Sequence, residues 1–318
     1  MPRALITGVT GQDGSYLSEQ LVAAGYEVHG LVRRPDALAG SLEKNLPDVV
    51  LHDGDLADVA GLATLVKDVA PDQIYNLAGI SSVAYSWQHP VETAQLSGVA
   101  VTALLDAALA LQEESGSLVR FVQASSSEIF GNPPSSPQNE STPIAPLSPY
   151  GAAKAYAHTM TTIFRARGLH ASNVVLYNHE SPRRPEAFVT RKITAGAARI
   201  ARGEQSMLSL GDQTVSRDWG WAPDYTRAMV LAATASEPDD FVIATGETHT
   251  VGEFVEAAFI AAGVDDWRTR VETDPRFVRP NDVSVMCGDP TKARQVLGWE
   301  PTMGFAEIVA AMVREDLS

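Results

Sequence analysis

Ala4-Leu5-Ile6-Thr7-Gly8-Val9-Thr10-Gly11-Gln12-Asp13-Gly14-Ser15 is the stretch that decides the fold. A short apolar strand, Ala4-Leu5-Ile6, runs into evenly spaced glycines, Gly8, Gly11 and Gly14, and a helical pattern follows from about Ser15 to Ala24. The first glycine allows a tight turn. The second lets backbone N–H groups approach a pyrophosphate, and the third lets helix and strand pack closely. The helix then turns the positive end of its dipole toward the phosphates. Spaced glycines alone are a weak signal, because turns also use glycine. Their position after the first strand, in a chain that continues strand, helix, strand, makes them a dinucleotide-binding turn.

Outward from this turn, Gly25 suits a helix C-cap and Glu27 to Val32 reads as a second strand. Apolar runs recur at Val49-Val50-Leu51, Gln73 to Leu77 and Val119 to Ala124, with helix-length segments at 60–69 and 91–111 between them. A long helix from about Pro149 precedes a further strand at Ala171 to Tyr177. This alternation predicts an α/β fold, a Rossmann-type doubly wound parallel sheet. After Asn178 the rhythm shortens, and Ser181-Pro182-Arg183-Arg184-Pro185 leads into a helical run at Thr190 to Arg202. The expected division is a cofactor-binding domain over 1–177, to which segments near 215–245 return. A smaller C-terminal α/β substrate domain then occupies mainly 178–318.

Composition sets the outer limits. The 318 residues carry 24 Lys+Arg against 39 Asp+Glu, a net charge of −15, which argues against a nucleic-acid binder. One cysteine, Cys287, cannot form an internal disulfide and fits a reducing compartment. Met1-Pro2-Arg3 leads directly into the first strand without the apolar core or cleavage site of a signal peptide. No apolar run approaches the ~20 residues of a bilayer span. These readings lead us to expect a soluble, cytoplasmic protein. No His/Cys/Asp cluster has the spacing of a metal site, so no metal is expected.

The cofactor is read at the tip of the second strand. An NAD site presents an acid there to the ribose 2′-hydroxyl, whereas arginine suits the 2′-phosphate of NADP. Here the strand ends Val32-Arg33-Arg34, which favours NADP over a reading as two solvated arginines. Asp55-Leu56, after the third strand, is placed where an acid can meet the adenine amino group. Tyr150 and Lys154 stand at i and i+4 on one helical face. The ammonium there can lower the phenol's pKa and hold the nicotinamide ribose. The phenolate can then take a proton from a substrate hydroxyl. Upstream, Ser125-Ser126-Ser127-Glu128 offers a hydroxyl to the same oxygen. Glu128 is the informative residue: a simple dehydrogenase or epimerase needs hydroxyl, Tyr and Lys, whereas a dehydration needs a second acid/base.

With these motifs the chain resembles the extended short-chain dehydrogenase/reductase family, and within it the GDP-mannose 4,6-dehydratases, over nearly its full length. The narrow strings are Gln12-Asp13-Gly14-Ser15-Tyr16-Leu17, Asn178-His179-Glu180-Ser181-Pro182-Arg183-Arg184 and Ala244-Thr245-Gly246-Glu247-Thr248-His249. Ile74-Tyr75-Asn76-Leu77-Ala78, Phe188 to Ile193, Arg217-Asp218-Trp219-Gly220 and Gly288 to Ala293 support them. The resemblance implies Ser126, Glu128, Tyr150 and Lys154 as the catalytic set. It implies NADP contacts from Gly8, Thr10, Gly11, Gln12, Asp13, Arg33, Asp55, Leu56, Leu77, Ala78, Lys154, His179 and Arg184. Asn178, Val189, Lys192, Arg217 and Arg279 are the implied nucleotide-sugar contacts.

The implied reaction is NADP-dependent dehydration of GDP-mannose to GDP-4-keto-6-deoxy-mannose, with hydride passing internally from C4 to C6. Alternatives are a nucleotide-sugar epimerase or 4-keto reductase of the same fold, or a non-catalytic nucleotide sensor. Arg183, Arg184, Arg191, Lys192, Arg217, Arg276 and Arg279 form a local excess of cations, of which two or three are expected on the diphosphate. The chain departs from the family in Ser126, where threonine is frequent, and in Ala78 to Val83, which lacks the usual Gln and His. It also has a short segment after Arg34. A homodimer through the helices at 91–111 and 149–166 is expected, and the short segment leaves a tetramer open.

Overall fold

The computed structural model describes residues 1–33, 48–277, 283 and 285–318; Arg34 and Arg279 lie outside the described residues. Six strands, β1 (Arg3–Thr7), β2 (Glu27–Val32), β3 (Val49–Asp53), β4 (Gln73–Asn76), β5 (Arg120–Ser126) and β6 (His170–Leu176), join the later strand Asp240–Ile243 in one seven-stranded parallel sheet. From β1 the order runs through β2 to β3 on one side, and through β4, β5 and β6 to Asp240–Ile243 on the other. The direction of winding reverses between β1 and β4, so a crevice opens at their carboxyl ends. Ala4, Leu5 and Ile6 are fully buried, as a strand covered on both faces requires.

The helices are α1 (Gln12–Ala23), α2 (Val59–Val69), α3 (Val83–Gln88), α4 (Pro90–Ser115), α5 (Pro149–Ala166), α6 (Val189–Ala201), α7 (Ala222–Thr234), α8 (Val251–Ala261) and α9 (Phe305–Leu317). On one face of the sheet α1 and α7 bury Leu17, Leu21, Tyr225 and Met229 against Val28, Val122 and Val174. On the other, α2, α4 and α5 bury Leu62, Val66, Leu104, Leu105 and Phe164 against Leu5, Ile74 and Phe121. Each such side chain contributes about 1.5–3 kcal/mol on burial. A third core, with Ile193, Trp219, Phe254, Phe259, Val309 and Met312, lies among α6, α8 and α9. The parallel pair Asn178–Glu180 and Trp219–Trp221 lies beyond the end of β6.

Two sequence expectations are corrected. First, α1 begins at Gln12 rather than near Ser15, because Gly11 serves as its extended N-cap and Asp13 sits in the first turn, where the helix dipole favours an acid. Second, α4 spans 26 residues with a mean hydropathy of 1.6 over its most apolar window, so one helix is long and apolar enough to cross a bilayer. Counting unbroken apolar residues missed it, because Thr93, Ser97, Gly98 and Thr102 interrupt the run. It is a core helix here: Ala100, Val101, Leu104, Leu105, Ala108 and Leu109 are buried, while Val91 and Val99 remain exposed. A π-turn at Gln95–Val99 interrupts α4 and turns Ser97 toward the loop after β4, where its Oγ accepts the Ile80 N–H at 2.9 Å.

Candidate active site

The glycine turn lies at the sheet's switch point. Gly8 has φ +75°, and a Cβ there would lie 2.9 Å from the Ala78 nitrogen; at Gly14 it would lie 2.2 Å from the Gly8 carbonyl oxygen. Neither position accepts a side chain. No side chain caps the α1 end at Gly11, so its first N–H groups face the crevice beside Gly8 and Thr10. This cradle fits a dinucleotide pyrophosphate. Across the crevice, Leu77 N–H donates to the Thr7 carbonyl at 3.3 Å and Ala78 N–H to Thr7 Oγ1 at 3.1 Å.

Gln12, Asp13 and His179 form one bonded unit. Asp13 Oδ2 lies 2.9 Å from His179 Nε2, and His179 Nδ1 donates to the Tyr177 carbonyl at 2.7 Å. Burial pushes the Asp13 carboxyl up, but the charge and hydrogen bond of His179 outweigh it and hold the carboxyl below its ordinary range. Burial pushes His179 down, and Asp13 more than compensates, so the imidazole stays protonated to higher pH than usual. Gln12 Nε2 donates to Asp13 Oδ1 at 3.1 Å and to the His179 carbonyl at 3.2 Å, while Gln12 Oε1 accepts Ser181 Oγ–H at 2.8 Å. Arg184 stacks on Phe188 at 3.9 Å, with Nε 3.4 Å from Glu180.

At the adenosine end, Arg33 is exposed at the tip of β2. Its charge reaches the Tyr85 hydroxyl, whose pKa is raised chiefly by donation to Glu92 at 2.8 Å. Asp55 Oδ1 accepts the Ala57 N–H at 2.9 Å and turns the chain after β3, while Leu56 packs against the core beneath α2.

The expected catalytic residues come from two elements. β5 ends at Ser126, whose Oγ accepts the Glu128 N–H at 3.3 Å and opens the tight turn Ser127–Ile129. Ser148 caps α5 by accepting the Gly151 N–H at 3.0 Å, with Pro149 at the helix start. A Cβ on Gly151 would lie 2.7 Å from the Glu128 carbonyl, so glycine lets the helix seat on that turn. Tyr150 and Lys154 thereby occupy the first two turns of α5. The phenol lies close enough to the Ser126 hydroxyl for it to lower the phenol's pKa, and within the field of the Glu128 carboxylate, which raises it. Lys154 Nζ donates to the Ala124 carbonyl at 2.9 Å and lies 5.9 Å from the centre of the Tyr150 ring.

The expected lowering of the phenol by the ammonium is corrected. Burial pushes Tyr150 up to about 12, against the Ser126 hydrogen bond. Burial also pushes Lys154 down to about 8, with Asp13 opposing. The ammonium sits beside the ring rather than at its oxygen, and desolvation dominates both groups.

Of the expected nucleotide-sugar contacts, Asn178 pairs with Trp219, and Val189 and Lys192 share the start of α6. Lys192 Nζ donates to the Ser209 carbonyl at 2.8 Å and lies 3.8 Å from the Phe277 ring centre, in a cavity of about 290 Å³ shared with Glu186, Arg199 and Asp274. Burial pushes Lys192 down, with Asp274 opposing. Arg217 donates to the Val283 carbonyl at 2.7 Å. Four of the expected cations lie beside carboxylates: Arg183 pairs with Glu19, Arg184 with Glu180, Arg191 with Asp316 and Arg276 with Asp274. An acidic chain supplies each of these arginines with a carboxylate, which a residue count cannot show.

Sequence reading missed a buried polar row behind Ser126, Tyr150 and Lys154. Thr7 Oγ1 donates to Asn76 Oδ1 at 2.7 Å, Asn76 Nδ2 to Gln123 Oε1 at 2.8 Å, and Gln123 Nε2 to the same Ala124 carbonyl that holds Lys154, at 2.9 Å. The signal was available, because amides amid apolar β4 and β5 need partners. Ser86, whose Oγ accepts the Tyr150 N–H at 3.2 Å, gave no such signal.

A doubly wound parallel sheet with a glycine-turn cradle and a Ser/Tyr/Lys set at the end of β5 defines a short-chain dehydrogenase/reductase of the extended type. The chain belongs to the GDP-mannose 4,6-dehydratase family, whose family model, described as GDP-mannose 4,6 dehydratase, matches residues 5–312. It is 46% identical over 324 residues to GDP-mannose 4,6 dehydratase 1 of Arabidopsis thaliana, covering 99% of this chain and 89% of the relative. It is 44% identical over 340 residues to GDP-mannose 4,6 dehydratase of Homo sapiens, covering 99% and 91%. The fold is similar to that of UDP-glucose 4-epimerase from Thermotoga maritima, solved with UDP-glucose (TM-score 0.87, 26% identity, 98% of each chain). It is also similar to that of dTDP-glucose 4,6-dehydratase from Bacillus anthracis, solved with NAD (TM-score 0.84, 19% identity, 99% and 96% of the chains).

Proposed function

We propose that this chain dehydrates GDP-mannose to GDP-4-keto-6-deoxy-mannose, with NADP as its resident cofactor. The observation that carries this reading is the convergence of Ser126, Glu128 and Lys154 on Tyr150, where the carboxylate adds the second acid/base that oxidation alone does not need. When bound, the nicotinamide accepts a hydride in the oxidation and returns it in the reduction. Tyr150 takes the proton of the C4 hydroxyl, steadied by Ser126. The C4 ketone acidifies the C5 proton, which Glu128 removes. The C6 hydroxyl departs as water with a proton from Glu128 or Ser126, and C5 is reprotonated. Substrate and product differ by one water, with no net redox change.

Arg33, with no acid at the tip of β2, favours the 2′-phosphate of NADP. We read 1–177, with the returning segments near 215–245, as the cofactor half and the rest of 178–318 as the sugar-nucleotide half. Exposed Val91 and Val99 on α4 and Tyr156 and Ile163 on α5 support a homodimer through these helices. The single cysteine is consistent with the cytoplasm. The test is mass spectrometry of GDP-mannose incubated with the protein and no added reductant. Loss of one water is expected, whereas an isomer of unchanged mass would give the epimerase reading precedence.

A further inference from the structure

His158 is one turn beyond Lys154 on α5 and two beyond Tyr150, on the same face. Its Nδ1 lies 3.1 Å from Ser125 Oγ, and its Nε2 lies 3.4 Å from Asp240 Oδ2. Asp240 is also bound by Arg165 and by Asn173 Nδ2, the latter at 2.8 Å, and Asn173 Nδ2 donates to the His158 carbonyl at 3.1 Å. Burial raises the Asp240 carboxyl, but His158 and Arg165 outweigh it and keep the carboxylate ionised. Nε2 thus faces the Asp240 carboxylate, and Nδ1 makes its hydrogen bond with the Ser125 hydroxyl.

Ser125 stands between two strand residues that the reaction uses. The Ala124 carbonyl holds Lys154, and the Ser126 hydroxyl lies close enough to the Tyr150 phenol to lower its pKa. Three successive residues at the end of β5 therefore each face one turn of α5, and the central contact alone involves neither substrate nor cofactor. Ser125 and His158 are both buried, at 3% and 8% exposure, so no water competes for the bond.

We infer that His158 is a positioning residue for the dehydration: through Ser125 it fixes the end of β5 so that Ser126 and the Ala124 carbonyl meet Tyr150 and Lys154. The inference rests on the proposed reaction. Isosteres separate its two contacts, since asparagine can occupy the place of Nδ1 and reach Ser125, whereas glutamine can reach Asp240 but not Ser125. Turnover is expected to follow the Ser125 contact and thermal stability the Asp240 contact.

His158→Ala, His158→Gln and Ser125→Ala should lower kcat by about 10- to 100-fold with KM for GDP-mannose nearly unchanged, because small misplacements of reacting groups are costly. His158→Asn should retain kcat to within about threefold despite a lower Tm, since the contact it keeps is the one argued to govern turnover. The double variant Ser125→Ala/His158→Ala should be no slower than the worse single variant, because both remove one interaction. Should the His158 variants fail to fold, Ser125→Ala, which leaves the His158–Asp240 pair intact, still decides by its kcat. Multiplicative losses in the double variant, a kcat that tracks Tm across the series, or wild-type kcat in Ser125→Ala would overturn the inference. A wild-type protein that releases no water would instead sink the proposed reaction and the inference with it.

Discussion

Tyr150 is held high, at about 12, by a site that also holds Lys154 low, at about 8, so the same desolvation keeps the phenol neutral and brings the ammonium within reach of deprotonation just above neutral pH. The cost of this arrangement is measurable. Lys154 falls from 10.5 to about 8 on folding, equivalent to roughly 3 kcal/mol of destabilisation at neutral pH. Because the folded pKa lies below the unfolded one, the unfolded chain binds more protons between these values, and stability rises with pH across that window. Lys154→Met should therefore gain more Tm over wild type at pH 7 than at pH 10, and calorimetry at the two pH values checks it. The Asp13–His179 pair behaves differently. The Asp13 contribution is present above 3.8 and lost as pH falls through its lowered pKa, and that of His179 is present below 6.5 and lost as pH rises through its raised one. His179→Gln should cost most Tm between about pH 4 and 6.5 and less above. Glu128→Gln should reduce turnover by about 10²–10⁴-fold. It should still oxidise C4, so bound NADPH should accumulate on addition of GDP-mannose and be visible by absorbance. Tyr150→Phe should show neither step.

Among the elements, the glycine turn and the helix after it were legible because the glycines follow the first strand of a chain that continues strand, helix, strand. Gly14→Ala should abolish cofactor retention or lower stability by on the order of 3 kcal/mol, since a Cβ 2.2 Å from the Gly8 carbonyl must displace backbone. Cofactor content of the purified variant, with its Tm, checks this. The alternation of β1 to β6 with helices was equally plain, because apolar strands of a parallel sheet read as unbroken runs. Of the expected site, Tyr150 and Lys154 were proposed from their helical spacing, Glu128 from its place after the serines, and Ser126 from the family resemblance. The His179–Asp13 bond could not, for it joins residues 166 apart whose types alone allow many partners. The pairing of the arginines was hidden for a related reason: charge shows in the sequence, but the carboxylate beside it depends on packing. The amides of β4 and β5 signalled that buried partners exist, but the strand pattern marks a residue as inward without saying which partner it bonds.

For the whole molecule, the exposed sides of α4 and α5 bear on assembly. Val99→Arg together with Ile163→Arg should give a monomer by light scattering at micromolar concentration, because like charges would face each other across a two-fold axis. An unchanged dimer would place the interface elsewhere. Arg33→Ala should weaken NADP by about 1.5–3 kcal/mol and NAD little, measured by competitive binding. The central claim is that one hydride leaves C4 and returns to C6 of the same sugar, with nothing consumed. Turnover of a mixture of GDP-mannose deuterated at C4 and unlabelled GDP-mannose tests it most directly. Products should be either unlabelled or carry deuterium at C6 only when they began with it at C4, at full retention and with a catalytic amount of cofactor. Deuterium lost to solvent, or left at C4 in a product that has lost no water, would contradict the account.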